Sequence, residues 1–160
     1  MTYAIKNLFD LEEFAYHLFD KIRDGIVVML TGELGVGKTT LSSYILRKLV
    51  GGDAGFTSPT FNIVNEYYSE LRKCKVFHLD LYRIKNFDEL YDIGLNDMLG
   101  NGIVLIEWPE IAFPMLKKID SNSLMMINLS FMNEDIRSCA VEIPCNIDEK
   151  EVEYQEKVCV

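Results

Sequence analysis

One run of eight residues constrains this chain more than any other feature. Gly32-Glu33-Leu34-Gly35-Val36-Gly37-Lys38-Thr39 fits the pattern G-x-x-x-x-G-K-[ST] without a gap. Glycines let the backbone curl around an anion with successive N–H groups pointing inward, and a helix starting there adds the positive end of its dipole. The flanks agree. Residues 26–30 (IVVML) are continuously apolar, as in a strand buried on both faces of a parallel sheet, and residues 39–50 read as a helix stopped by Gly51-Gly52. The segment from Gly32 to Thr40 is therefore expected to cradle nucleotide phosphates. Lys38 would reach the β- and γ-phosphates, and the Thr39 hydroxyl would ligate magnesium.

Around this loop the patterning predicts an α/β fold: one P-loop NTPase domain whose mixed parallel and antiparallel sheet is flanked by helices. A short apolar start (Tyr3, Ile5) precedes a helix capped by Asp10, with Leu11, Phe14, Ala15, Leu18, Phe19 and Ile22 on one stripe. Residues 61–68 and 76–79 read as a hairpin, and residues 87–99 as helix broken at Gly94. Residues 103–106 form a second wholly apolar strand. Residues 124–131 and 138–143 look like a last antiparallel pair. The sheet is expected to be parallel around residues 26–30 and 103–106 and antiparallel elsewhere. Residues 1–147 would be the ATPase domain and 148–160 an acidic tail.

Such a loop needs a carboxylate at the end of a neighbouring buried strand to hold the magnesium shell. Two apolar runs end in one, at Asp80 and at Glu107, and pattern alone does not rank them. His78, Asp80 and Tyr82 share a face at period two if their strand continues; for His78 a structural hydrogen-bonding role is the leading reading. The stretch Thr57-Ser58-Pro59-Thr60-Phe61 could serve as a nucleotide-sensing switch, but taken alone a plain Ser-Pro turn is the leading reading.

The formal net charge of −9 argues against a free nucleic-acid binder, which needs a basic surface. No apolar stretch approaches the roughly 20 residues that span a bilayer, and the N-terminus lacks a signal-peptide pattern. The four cysteines contain no Cys-x-x-Cys pair. A cytoplasmic protein with reduced thiols, no zinc site and no membrane contact is expected.

Four blocks in order, GELGVGKTT at 32–40, SPTFNIVNEY at 58–67, HLDLYRI at 78–84 and LIEWPE at 105–110, resemble the TsaE (YjeE) family, bacterial ATPases of tRNA threonylcarbamoyladenosine biosynthesis. DELYDIGL at 88–95 resembles the family too. The resemblance implies that Thr39 and Glu107 are the magnesium ligands, and that Lys38, Asp80 and Glu107 are catalytic. It puts Asp80 near the γ-phosphate, Thr60 in a switch-like loop, and Trp108 on the surface beside the nucleotide. ATP and Mg2+ are the implied cofactors. The implied partners are TsaD- and TsaB-type proteins, which transfer threonylcarbamoyl to adenosine 37 of tRNA and carry most of the tRNA contact. The last hairpin departs from the family's Gly-Arg-x-Ala-type turn, having Asn133-Glu134-Asp135-Ile136-Arg137 instead. Adenine contacts are expected from residues 8–12 and the final hairpin.

Two other functions fit the same loop. A small-molecule kinase usually has an arginine-rich lid, and the five arginines here (Arg23, Arg47, Arg72, Arg83, Arg137) form no cluster. A nucleotide-gated interaction module would use ATP only to order a docking loop. A GTPase would need an Asn-Lys-x-Asp segment, which is absent.

Overall fold

A computed structural model describes residues 2–52, 56, 58–59, 62–132 and 136–142. Its centre is a seven-stranded sheet in the order β1-β7-β6-β2-β5-β4-β3. The strands are β1 (Thr2–Ile5), β2 (Val27–Thr31), β3 (Val64–Ser69), β4 (Cys74–Asp80), β5 (Ile103–Glu107), β6 (Leu124–Phe131) and β7 (Arg137–Glu142). The helices are α1 (Leu8–Phe19), α2 (Lys38–Val50), α3 (Glu89–Asp92), α4 (Leu95–Met98) and α5 (Phe113–Leu116).

The apolar run that precedes the glycine-rich loop becomes β2, the middle strand, with all five residues buried. Side chains alternate across a strand, so β2 feeds two cores. Val28 and Leu30 join Leu105 and Ile127 beneath α1 and α2, against Leu11, Phe14, Leu41 and Ile45. Val27 and Met29 join Val104, Ile106 and Met126 on the other face, against Leu90, Leu95, Phe113 and Leu116. Each such fully buried aliphatic side chain contributes about 1.5–3 kcal/mol.

Several expectations need correction. Helix α1 starts at Leu8 rather than after Asp10: the Asn7 side chain accepts from the Asp10 amide at 2.9 Å, and the Asp10 carboxylate reaches back to the Lys6 amide at 2.9 Å. Asn7 is thus the cap, and Asp10, three positions on, closes the turn by reaching back, as the acidic partner of a capping box does. Parallel pairing extends further than expected, because β6 runs parallel to β2 and β4 parallel to β5. The antiparallel pairs lie at the two flanks, β3 with β4 on one side and β6, β7 and β1 on the other. β1, too short to stand alone, is held by β7. The strand expected over 61–68 runs from Val64 to Ser69. After β5 the chain makes a 3-10 turn (Pro109–Ala112) leading into α5, a stretch the periodicity did not single out. Phe61, Ile143 and the acidic segment 148–160 lie outside the described residues. Among the described residues no helix is long and apolar enough to cross a membrane.

Candidate functional site

Three parallel strands, β2, β5 and β4, end level with one another: Leu30 pairs with Glu107, and Glu107 with Asp80. The carboxyl edge of such a sheet is where ligands of α/β folds settle. From β2 the chain turns through the glycine-rich loop into α2. Gly32 (φ 131°) must be glycine for packing reasons as well as conformation, since a Cβ there would sit 2.1 Å from the Leu129 carbonyl oxygen of β6. Gly37, in the left-handed region (φ 113°), is the N-cap of α2 and provides no side-chain cap. The helix therefore presents its first amides to the loop interior rather than to a side chain.

Lys38 opens α2 and is 5% exposed. Its ammonium donates to the Gly32 carbonyl at 2.5 Å and the Glu33 carbonyl at 2.8 Å, and it lies 3.6 Å from the centre of the Trp108 ring. A desolvated cation–π contact of this kind contributes about 2 kcal/mol. Burial pushes the Lys38 ammonium below its ordinary 10.5, and the carboxylates of Glu107, Glu110, Asp80 and Glu33 pull it back up. Trp108 reaches this place because its backbone is left-handed (φ 58°, ψ 57°), a conformation that costs a non-glycine residue roughly 1–2 kcal/mol. Its amide is held by the Leu30 carbonyl at 3.2 Å, and its ring meets Tyr82 at 5.0 Å between centroids.

Glu107 is 1% exposed and gathers three side chains. Thr39 Oγ1 donates to its Oε2 at 2.7 Å, Ser42 Oγ lies 2.9 Å from its Oε1, and His78 Nε2 lies 2.8 Å from the same Oε1. Sequence pattern left Asp80 and Glu107 unranked. Geometry separates them, because Glu107 meets the α2 hydroxyl and Asp80 sits one strand further out. Asp80 Oδ2 accepts from Ser58 at 3.3 Å and Oδ1 from the Tyr82 amide at 3.1 Å.

The structure thus brings together Gly32, Glu33, Gly37, Lys38, Thr39, Glu107 and Trp108, with Asp80 on the adjacent strand. Val36 is buried behind the loop, Gly35 has open space around it, Leu34 is 72% exposed, and Thr40 lies in the first turn of α2. Thr60 of the switch-like loop lies outside the described residues, as do Thr57 and residues 133–135. Two contributors escaped sequence reasoning. Ser42 follows Thr39 by three positions, so helical spacing places both on one face and could have revealed it. Arg137, at the start of β7, donates through Nε to the Val36 carbonyl at 3.1 Å, and only the strand register brings it there.

The residues fit magnesium in a particular way. Among the described residues no cluster of three or more His, Cys, Asp or Glu side chains could hold a metal alone. Thr39 and Glu107 offer a hydroxyl and one carboxylate beside a loop of amides. That suits an ion which keeps waters and takes its remaining ligands from substrate phosphates.

Comparison with known proteins follows the same lines. The sequence model of the family described as "Threonylcarbamoyl adenosine biosynthesis protein TsaE" matches residues 5–147, well beyond the 26–110 span of the motif blocks. The tRNA threonylcarbamoyladenosine biosynthesis protein TsaE of Rickettsia bellii is 33% identical over 132 residues, covering 82% of this chain and 88% of that protein. The Aquifex aeolicus protein of the same name is 37% identical over 108 residues, covering 64% of this chain and 75% of its own length. Among solved structures, Bacillus subtilis YdiB superposes with a TM-score of 0.62 at 23% identity, covering 90% of this chain and 86% of that one, which is a likeness of fold. With the family match spanning nearly all described residues, the chain belongs to the TsaE family, whose members take part in tRNA threonylcarbamoyladenosine biosynthesis.

Proposed function

We propose that this protein is a magnesium-dependent ATPase, weak alone and stimulated by TsaD- and TsaB-type partners, that supports threonylcarbamoylation of adenosine 37 in tRNA. The observation that carries the reading is the meeting of Thr39 and Glu107, 2.7 Å apart, at the base of a loop whose lysine ammonium is buried beside them. Hydrolysis of ATP needs positioning and charge neutralisation more than covalent chemistry from the protein. The amides from Gly32 to Thr40 would hold the β- and γ-phosphates, and the Lys38 ammonium would exchange the Gly32 and Glu33 carbonyls for phosphate oxygens. Thr39 and Glu107 would hold the magnesium ion, which supplies neutralisation of charge on the phosphates. Asp80, oriented by the Tyr82 amide, would hold the attacking water. Trp108 keeps bulk water off Lys38. The acidic surface leaves most tRNA contact to the partners.

The kinase reading loses ground because three of the five arginines are engaged elsewhere, Arg23 with the Asn122 carbonyl, Arg72 with the Phe19 carbonyl and Arg47 near Glu12, while Arg137 braces the loop backbone through the Val36 carbonyl. Titration calorimetry with ATP and magnesium tests nucleotide binding, and phosphate release with and without the two partner types tests the rest. Binding that survives Lys38→Ala, or turnover that ignores the partners, would refute the proposal. Asp80→Ala is expected to keep partner assembly and lose turnover; pathway activity retained in that variant would favour the nucleotide-gated module.

A further inference from the structure

Glu107 has two oxygens with different company. Among the described residues Oε2 meets Thr39 alone, whereas Oε1 meets both Ser42 and His78. The arrangement follows from strand periodicity. In β4, Val76 belongs to the core beneath α2 while Phe77 and Leu79 belong to the opposite core, so His78 also points toward α2. In β5, Ile103 and Leu105 face the same way, which puts Glu107 there too. His78 pairs with Leu105, one pleat below the Asp80–Glu107 pair, and its imidazole reaches up to the carboxylate.

The two donors to Oε1 are not equivalent. Ser42 carries one hydroxyl proton and has a second acceptor within reach, the Lys38 carbonyl at 3.1 Å. A carboxylate can only accept, so Nε2 is the protonated ring nitrogen of His78; among the described residues its proton has only the carboxylate, and the other ring nitrogen, Nδ1, is buried without a hydrogen-bond partner. His78 and Ser42 are both 0% exposed. A histidine kept in a core merely to pack would leave both polar nitrogens a cost without a return. Here one nitrogen remains a cost and the other is committed to Glu107.

We propose that His78 is a positioning residue for Glu107: by holding Oε1 it fixes the carboxylate rotation and leaves Oε2 directed at Thr39 and the metal shell. Ser42 assists through the same oxygen. The inference rests on the nucleotide–magnesium reading above and assigns His78 no contact with substrate. Partners of this kind behind a metal ligand commonly change metal affinity by 10–100-fold.

The test compares wild type, His78→Phe, which keeps a ring and removes the donor, and His78→Gln, whose amide nitrogen can replace Nε2. ATP affinity is measured calorimetrically in EDTA and across a magnesium titration, with urea unfolding as the check on folding. The Phe variant is expected to raise the magnesium concentration for half-maximal tight binding by about tenfold while matching wild type in EDTA, and Gln to recover most of the difference. An unchanged magnesium requirement in the Phe variant overturns the inference, as does an equal loss of affinity with and without magnesium. Should the Phe variant not fold, ring 15N spectra of wild type decide, since the protein has only two histidines. The Nε2–H signal is expected to move on adding magnesium to the ATP complex, and a motionless signal refutes the role. Wild type lacking magnesium-dependent ATP affinity would sink the underlying reading, whereas normal wild type beside a normal Phe variant sinks this inference alone.

Discussion

Lys38 is the residue whose environment makes the most distinctive claim about solution behaviour. Burial lowers its affinity for a proton in the free protein, and a bound triphosphate would restore it. ATP affinity is therefore expected to be full below the free-protein pKa of Lys38, which lies under 10.5, and to fall as pH rises through it. Calorimetry in two buffers of different ionisation enthalpy should show proton uptake on ATP binding that grows as pH rises toward and through that pKa. Replacing the lysine by alanine removes a charge-assisted contact worth about 3 kcal/mol, or roughly a hundredfold in affinity. Gly32 makes a prediction of the opposite kind. An alanine there drives its methyl group into the Leu129 carbonyl from a positive-φ backbone, and should destabilise the fold by roughly 2–5 kcal/mol in urea unfolding.

At the scale of elements, the β6–β7 hairpin is tied to the glycine-rich loop through Arg137, which donates to the Val36 carbonyl and lies over the Phe131 ring. Arg137→Ala should lower ATP affinity about fivefold, the worth of one hydrogen bond of about 1 kcal/mol, with a small change in stability. Elements whose pattern is local were legible in the sequence. The unbroken apolar runs of β2 and β5 and the glycine-rich turn into α2 announce themselves, and Gly94 marks the break between α3 and α4 with its left-handed backbone (φ 74°). What depends on distant pairing was not. Nothing near residue 124 says that β6 runs parallel to β2, and nothing near residue 137 says that its side chain reaches residue 36. By pattern Asp80 and Glu107 looked alike because each ends a buried strand; the family resemblance singled out Glu107, and the place of α2 over β5 gives the physical difference between them. His78 read as a structural histidine because its partner is 29 positions away.

For the whole molecule, β2 lies between β5 and β6 with cores on both faces. Leu105, 0% exposed on the neighbouring strand, should cost about 2–5 kcal/mol when cut to alanine, read by urea unfolding. Cys139, fully buried in β7, is a built-in reporter: desolvation pushes its thiol up to about 11, so a thiol reagent at neutral pH should reach it only through opening of the sheet. The order of strands has one more outcome. Fraying starts from the outer strands β1 and β3, each hydrogen-bonded to a single neighbour. The glycine-rich turn, by contrast, springs from the strand furthest from either border. Warming such a molecule does not disarm it by degrees: the capacity to hold a triphosphate and the capacity to stay folded are expected to fail at one temperature.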